Sequence, residues 1–407
     1  MNTIESAQNS ICLVYVYLGK FPWYFDFFIN SCEDNESVDF IIFTDNDISK
    51  YQQINNVIFK SITLDDINKM FTHKLGFDIH IKKAYKLCDF KPAYGFLFQE
   101  YISDYQFWGV GDLDVIFGNI RDALTSEVLE NHDVIFVRDD YPTGFFMLYR
   151  NTEYTRSLFM RSKDYKKIFT SDRHYCFDEC NFQHVKLMHG QSIFDCPTEI
   201  DSFMHVIKRE QSTNGLKVLF DILAVEGIPG GLTHTHDFLA FNRKYSIILY
   251  HLISLKQNIL FMPPKWDKIP DIYHIGRYTF YKNTFFDTIK QFFIENIHSH
   301  VLLFFRRIRV KFTKKNISCK ILNNKHINGI YQYSTDVMCK VEICNNEVII
   351  STGSTQSFKC ESYLFNKNKL IIKELGVFIE FEPTKDGVQF VQELTNGFRF
   401  IFKSVKK

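Results

Sequence analysis

The chain begins with short apolar runs separated by polar turns. Residues 11–17 read ICLVYVY, an apolar run without alternation, which predicts a strand buried on both faces. Gly19-Lys20-Phe21-Pro22-Trp23 reads as a turn, and a helical stretch runs from there to Cys32. Asp39 to Asp45 predicts a second strand with a polar end, and Val57 to Lys60 a third. Thr63 followed by Asp65 and Asp66 is a helix start, with Thr63 as cap and acids in the first turn. Further strands are expected at 107–110, 133–137 and 144–149. Strands alternating with helices imply βαβ units, and so an α/β fold whose mixed, mostly parallel sheet is flanked by helices. Ligands of such sheets sit at the C-terminal ends of the strands, so the polar residues that follow strands carry the chemical interest.

After about residue 150 the pattern predicts helices and loops to about 260, where Met262-Pro263-Pro264-Lys265-Trp266 breaks it. Residues 285–297 have helical spacing. Residues 301–312 join an apolar run to Arg306, Arg307, Arg309 and Lys311. That stretch is either an amphipathic peripheral contact with an anionic membrane surface or a packed helix with a solvated basic end. From 317 onward short alternating runs, such as 340–343, 348–351, 370–373 and 398–402, predict a small antiparallel β domain, with turns at Asn345-Asn346 and 366–368. The expected organisation is therefore an α/β domain over 1–282, a basic amphipathic connector over 283–316 and an all-β accessory domain over 317–407.

Composition narrows this picture. A chain of 407 residues suggests two or three domains, and 45% apolar with 23% charged residues is a globular composition. Lys and Arg total 48 against 47 Asp and Glu, so no overall field attracts nucleic acid. The ten cysteines are scattered without a CxxC pair and match no zinc spacing; they read as reduced, buried thiols of a cytosolic protein. The first residues lack the basic and apolar regions of a secretory signal, and no window reaches the ~18–20 apolar residues of a membrane span.

Asp112 and Asp114 follow the aromatic strand Phe107-Trp108 and the bend Gly109-Val110-Gly111. On an extended chain residues i and i+2 project to one side, so two carboxylates there form an anionic pocket that a divalent cation would neutralise while bridging to a diphosphate. The other reading is a loop with two solvated aspartates; a second Asp-x-Asp, Asp45-Asn46-Asp47, shows how common the pattern is. Just upstream, Lys86, Asp89 and Lys91 lie within six residues. The lysines suit a diphosphate as point charges, and the same stretch reads as a helix start with Asp89 as cap and Pro92 in the first turn. Asp178 and Glu179 are candidates for the general base that deprotonates an acceptor hydroxyl, or an acidic helix start. His251 ends an apolar strand-like run and is a candidate further metal ligand, with Lys256 on the phosphates; His234-Thr235-His236 competes for that role, and a packed core histidine is the plain alternative.

The blocks YLGKFPWYFDFFINSC, IIFTD, YKLCDFKPAYGFLF, FWGVGDLDVIFGNIRD and GFFMLYRN, then FDE and YHLISLK, resemble a family of bacterial polysaccharide-associated proteins that is similar to GT-A-fold glycosyltransferases. The resemblance covers roughly residues 10 to 260 and rests on the order of the blocks. It implies a GT-A-like, Rossmann-like sheet and a nucleotide-sugar donor with Mn²⁺ or Mg²⁺ on Asp112 and Asp114. It also implies base and ribose contacts near Tyr17 and Asp45, and phosphate contacts near Lys86 and Lys91. His251 matches the late histidine that many such enzymes place on the metal or diphosphate. Here the motif reads His-x-x-x-x-Lys, without the glycine and the Lys-Pro-Trp ending of the family 8 retaining enzymes. The expected function is transfer of a sugar, from a UDP-sugar by preference, to a bacterial surface glycan that is free or lipid-linked. A non-catalytic carbohydrate-binding or scaffold protein on a degenerate transferase fold is one rival. A metal-dependent nucleotidyl or phosphoryl transferase is another, and the lack of a P-loop pattern argues against its NTPase form.

Overall fold

The structure, a computed structural model, describes residues 10–227, 230–242, 244–258 and 261–294 and, beyond them, the strands lying between 329 and 404. The basic segment 301–312 and the expected turns at 345–346 and 366–368 fall outside the described residues. The chain divides into two compact units: residues up to Val225 with Leu232–His251 and Trp266–Ile272 form one, and Glu226–Gly231, Leu252–Lys265 and everything from Tyr273 form the other.

The first unit is built on a seven-stranded sheet. Its strands are β1 (Ile11–Tyr17), β2 (Val38–Thr44), β3 (Val57–Ser61), β4 (Phe107–Gly111), β6 (Val134–Phe136), β7 (Phe146–Arg150) and β8 (Val218–Phe220), in the order β3-β2-β1-β4-β7-β6-β8. β5 (Val115–Phe117) belongs to a separate small sheet. Strands β3, β2, β1 and β4 are parallel, β7 runs against both β4 and β6, and β6 is parallel to β8. The unbroken apolar run of β1 is explained by cover on both faces. Ile11, Leu13 and Tyr15 pack with Phe25 and Phe28 of helix α1 (Phe25–Glu33). Cys12 and Val14 pack on the other side with Ile67 and Phe71 of helix α2 (Leu64–Leu75). Helix α2 starts as its sequence predicts: Thr63 accepts from the Asp66 N–H, the Asp66 carboxylate returns the bond, and Gly76 closes the helix at φ +74°. At the sheet centre Trp108 is fully buried and stacks on Tyr149 at 4.2 Å. Gly95 is required there, because a Cβ would stand 2.4 Å from the indole.

The stretch after 217 carries more strand than its sequence suggests. Besides β8 it contains β9 (Ala224–Glu226), β10 (Leu232–His234), β11 (Leu239–Phe241), β12 (Tyr245–Ser246) and β13 (Leu249–His251). Each is two or three residues long, too short to show a period. In the first unit β10, β11 and β12 form an antiparallel ribbon, and β13 lies antiparallel on β5, with His251 opposite Val115. That pairing carries a late residue to the foot of the central strand.

In the second unit β14 (Tyr273–Ile275) and β15 (Phe280–Lys282) form a hairpin, and the helix Phe285–Phe293 follows. From β16 (Gly329–Gln332) to β23 (Arg399–Ser404) eight antiparallel strands, each paired with the next, close into a barrel through a β16–β23 pairing. The alternating runs of the C-terminal region thus belong to a sheet with no free edge. No described helix is long and apolar enough to cross a membrane.

Candidate functional site

Strand β4 ends at Gly111, and the chain bends through residues 112–114 before β5 begins at Val115. Asp112 and Asp114 therefore sit in a bend and not on an extended strand. They nevertheless converge: with His251 they form a group whose ligand atoms all lie within 4.8 Å of one another. His251 Nε2 stands 3.2 Å from Asp114 Oδ2, and both side chains are almost completely buried. Asp112 is more open, with 37% of its side chain exposed. The Phe145 ring lies 4.2 Å from that of His251 and limits its rotation.

Lys91 supplies the counter-charge. Its Nζ is 2.5 Å from Asp112 Oδ1 and donates to the Gly144 carbonyl at 2.7 Å. Burial alone would favour the neutral amine, but the Asp112 carboxylate outweighs it and raises the pKa, so the ammonium persists. Tyr15 lies beneath: its buried Oη has no hydrogen-bond partner among the described residues, and it would be 3.1 Å from a Cβ placed on Gly111.

Asp178 and Glu179 reach this region through Gly144. A Cβ on Gly144 would meet Asp178 Oδ2 at 2.4 Å and Lys91 Nζ at 3.3 Å, so only glycine allows the three to meet. Burial, reinforced by Glu179, pushes the Asp178 carboxyl well above the usual carboxylate range. Glu179 goes the other way. Burial would raise it, but His184 at 2.7 Å, the Gly144 N–H at 2.8 Å and the Cys176 thiol at 3.3 Å together hold it near 2. Two adjacent acids thus differ in character: one easily protonated, one fixed as a carboxylate.

Lys86 and Asp89 correct the sequence reading. The spacing suggested phosphate contacts, or a helix start capped by Asp89. Instead Asp89 is fully buried in a 3₁₀ stretch over Ala84–Ala93 and caps nothing. It takes Lys86 Nζ at 2.8 Å and accepts the backbone N–H groups of Tyr175 (3.0 Å) and Phe177 (2.8 Å). Both side chains are turned into the protein, where they hold the segment that presents Asp178 and Glu179.

Tyr17 and Asp45 lie at the C-terminal edge of the sheet, as expected for residues following β1 and β2. Tyr17 pairs with Thr44 in register, Asp45 accepts the Gly19 N–H at 2.8 Å, and the Tyr17 hydroxyl donates to the Lys20 carbonyl at 3.3 Å. Lys256 lies on the helix Ile253–Gln257, which belongs to the second unit. The competing histidines are elsewhere: His236 pairs with Asp34 at 2.5 Å, and His234 is buried on β10.

Burial lowers His234 to about 4. Its imidazole titrates near 6.5 in the unfolded chain, so between those values the unfolded chain binds a proton that the folded one refuses. Stability should therefore fall as pH drops through that window, by about 3 kcal/mol in total. Urea melts at the two ends of the window should show this fall, and His234→Gln should flatten it. Parallel pH profiles for the two proteins would contradict this account of His234.

Several site residues gave no signal in the sequence. Gly144 and Phe145 look like an ordinary strand start. Tyr15 looks like one more core aromatic. Cys176 and His184 lie at spacings of three and five from Glu179 and match no motif.

No curated protein matches the chain. Among solved structures, the glycosyltransferase GlyE of Streptococcus pneumoniae TIGR4 aligns at 10% identity with a TM-score of 0.28, over 53% of this chain and 46% of that one. The chain thus spans less than half the length of GlyE. The galactosyltransferase LgtC, in complex with donor and acceptor sugar analogues, aligns at 12% identity and TM-score 0.27, over 53% and 75%. Mouse xyloside xylosyltransferase 1 aligns at 11% and 0.33, over 59% and 97%. At these scores the alignments add nothing to the geometry above. A family model matches residues 13–241, which contain all of the central sheet but the first two residues of β1, both acids of the bend and the Asp178–Glu179 pair, and the chain accordingly belongs to the family of unknown function DUF6625.

Proposed function

We propose that this protein is a metal-assisted glycosyltransferase that takes its sugar from a nucleoside-diphosphate donor, a UDP-sugar by preference, and passes it to a bacterial surface glycan. The observation that carries the reading is the convergence of Asp112, Asp114 and His251 at the C-terminal foot of a central parallel strand, with Lys91 already on Asp112. Two carboxylates and one imidazole form a donor set for Mn²⁺ more than for Mg²⁺, which prefers oxygen alone. When bound there, such an ion supplies Lewis-acid stabilisation of a departing diphosphate.

The remaining work falls to side chains of the chain itself. Lys91 stays charged and is fixed by the Gly144 carbonyl, so it meets developing negative charge without having to reorganise. Tyr17 stands at the end of β1, next to β4, and Asp45 at the end of β2, on the far side of β1 from β4, where a base and ribose would lie. Asp178 is the proposed base on an inverting route. Burial raises its carboxyl above the usual carboxylate range, which makes it the more basic of the two acids, and it has no hydrogen-bond partner among the described residues, whereas both oxygens of Glu179 are occupied. Lys86 and Asp89 are positioning residues in this scheme, acting through the 173–179 segment.

The test is hydrolysis of a panel of sugar nucleotides by the purified chain with Mn²⁺. Slow release of free sugar and nucleoside diphosphate from one donor is the expected result. Release of pyrophosphate or nucleoside monophosphate would assign nucleotidyl or phosphoryl transfer instead. Failure to turn over or bind any donor would leave the catalytic reading without support.

A further inference from the structure

A second group of donors lies behind Gly144. Cys176 Sγ is 3.3 Å from Glu179 Oε2 and 3.8 Å from His184 Nε2, and those two atoms are 2.7 Å apart. Three ligands of a tetrahedral zinc ion, at about 2.3 Å for sulfur and about 2.0–2.2 Å for nitrogen and oxygen, stand roughly 3.4–3.6 Å from one another. The thiol distances match this spacing, and only the Glu179–His184 pair has to open. Cys176 is buried, while Glu179 and His184 keep 20% and 31% of their side chains exposed, so a fourth position faces solvent. The orientation of Glu179 is fixed from outside the group, since Gly144 N–H bonds its other oxygen, as a supporting donor fixes a ligating carboxylate. The backbone brings the three together through left-handed turns at Cys176 (φ 53°), Asn181 (φ 51°) and Phe182 (φ 63°), none of them glycine.

We propose that Cys176, Glu179 and His184 form a binding site for a zinc-class transition-metal ion, with water in the fourth position. A thiolate, an imidazole and one carboxylate select such an ion over Mg²⁺ or Ca²⁺. Binding releases the thiol proton to solvent, together with any proton held between Glu179 and His184. A competing group, His174, Cys176 and Asp178, shares the thiol, but His174 Nδ1 is already drawn to Asp89 at 3.1 Å. The ion has a structural role. Gly144 gives its N–H to Glu179 and its carbonyl to Lys91, so fixing Glu179 also fixes the ammonium beside Asp112. This inference stands without the transferase reading, because its readouts are spectroscopic and thermal.

The test is Co²⁺ titration of the metal-stripped full chain, followed by Zn²⁺ displacement. The expected result is one equivalent of tetrahedral Co²⁺ with a thiolate charge-transfer band, removed by Zn²⁺. Cys176→Ser should abolish the band, and His184→Gln should weaken binding by at least the ~10–100-fold that even a supporting partner contributes. Asp114→Asn should leave the band unchanged. Zn²⁺ should raise the melting temperature of the wild type and not that of His184→Gln, whose half-exposed position keeps it foldable. Absence of the band in the wild type, or its survival in both His184→Gln and Glu179→Gln, would overturn the proposal.

Discussion

Asp114→Asn is expected to lower Mn²⁺-dependent donor hydrolysis by at least the ~10²–10³-fold that loss of one well-placed electrostatic group costs. The argument is one of charge at constant shape. Asp114 is 5% exposed, its Oδ2 faces His251 Nε2 at 3.2 Å, and an amide fills the same volume. The substitution removes the negative charge and keeps the side-chain volume, so a folded variant isolates the effect of the charge. An Asp34→Asn control removes a carboxylate that pairs with His236 instead, and should leave hydrolysis unchanged. Equal hydrolysis by wild type and Asp114→Asn would show that the acids of the bend take no part in the chemistry.

The second large effect is on stability. Asp89→Ala should cost about 3–5 kcal/mol, the usual result of stripping one partner from a buried ion pair. Lys86, 3% exposed, would be left charged without its carboxylate, and the N–H groups of Tyr175 and Phe177 would lose their acceptor. Burial raises the Asp89 pKa, but His174 and Lys86 together outweigh it and hold it below the usual carboxylate value. Its contribution is therefore present above about pH 3.9, the unfolded value, and lost as pH falls through the folded one. Urea denaturation at neutral pH measures the loss. The double variant Lys86→Met/Asp89→Leu, which removes both charges, should recover part of it. A loss under 1 kcal/mol for Asp89→Ala would mean that the pair does not anchor the 173–177 segment.

Particular residues show what could be read from the sequence and what could not. β1 was legible because cover on both faces demands an unbroken apolar run, and α2 because a capping box is local chemistry. Strands β9 to β12 were not legible. Two or three residues cannot show a period, and their pairings are set by distant partners. At the site, the spacing of Asp112 and Asp114 and the strand before His251 pointed to one another, although the acids meet through a bend. Asp89 was misread because a helix cap and a buried acceptor of backbone N–H groups look alike in sequence. Cys176, Glu179 and His184 come together through three left-handed residues, and a Cys, a Phe and an Asn in sequence do not announce that conformation.

The central claim is that the acids of the bend and His251 hold one divalent cation on which a nucleoside diphosphate lands. It is tested most directly by following free Mn²⁺ by electron paramagnetic resonance during titration of the full chain, with and without UDP. The account predicts one Mn²⁺ per chain, bound more tightly with UDP, lost in Asp114→Asn and retained in Cys176→Ser. Mn²⁺ binding that survives Asp114→Asn, or UDP binding that is indifferent to the metal, would contradict it.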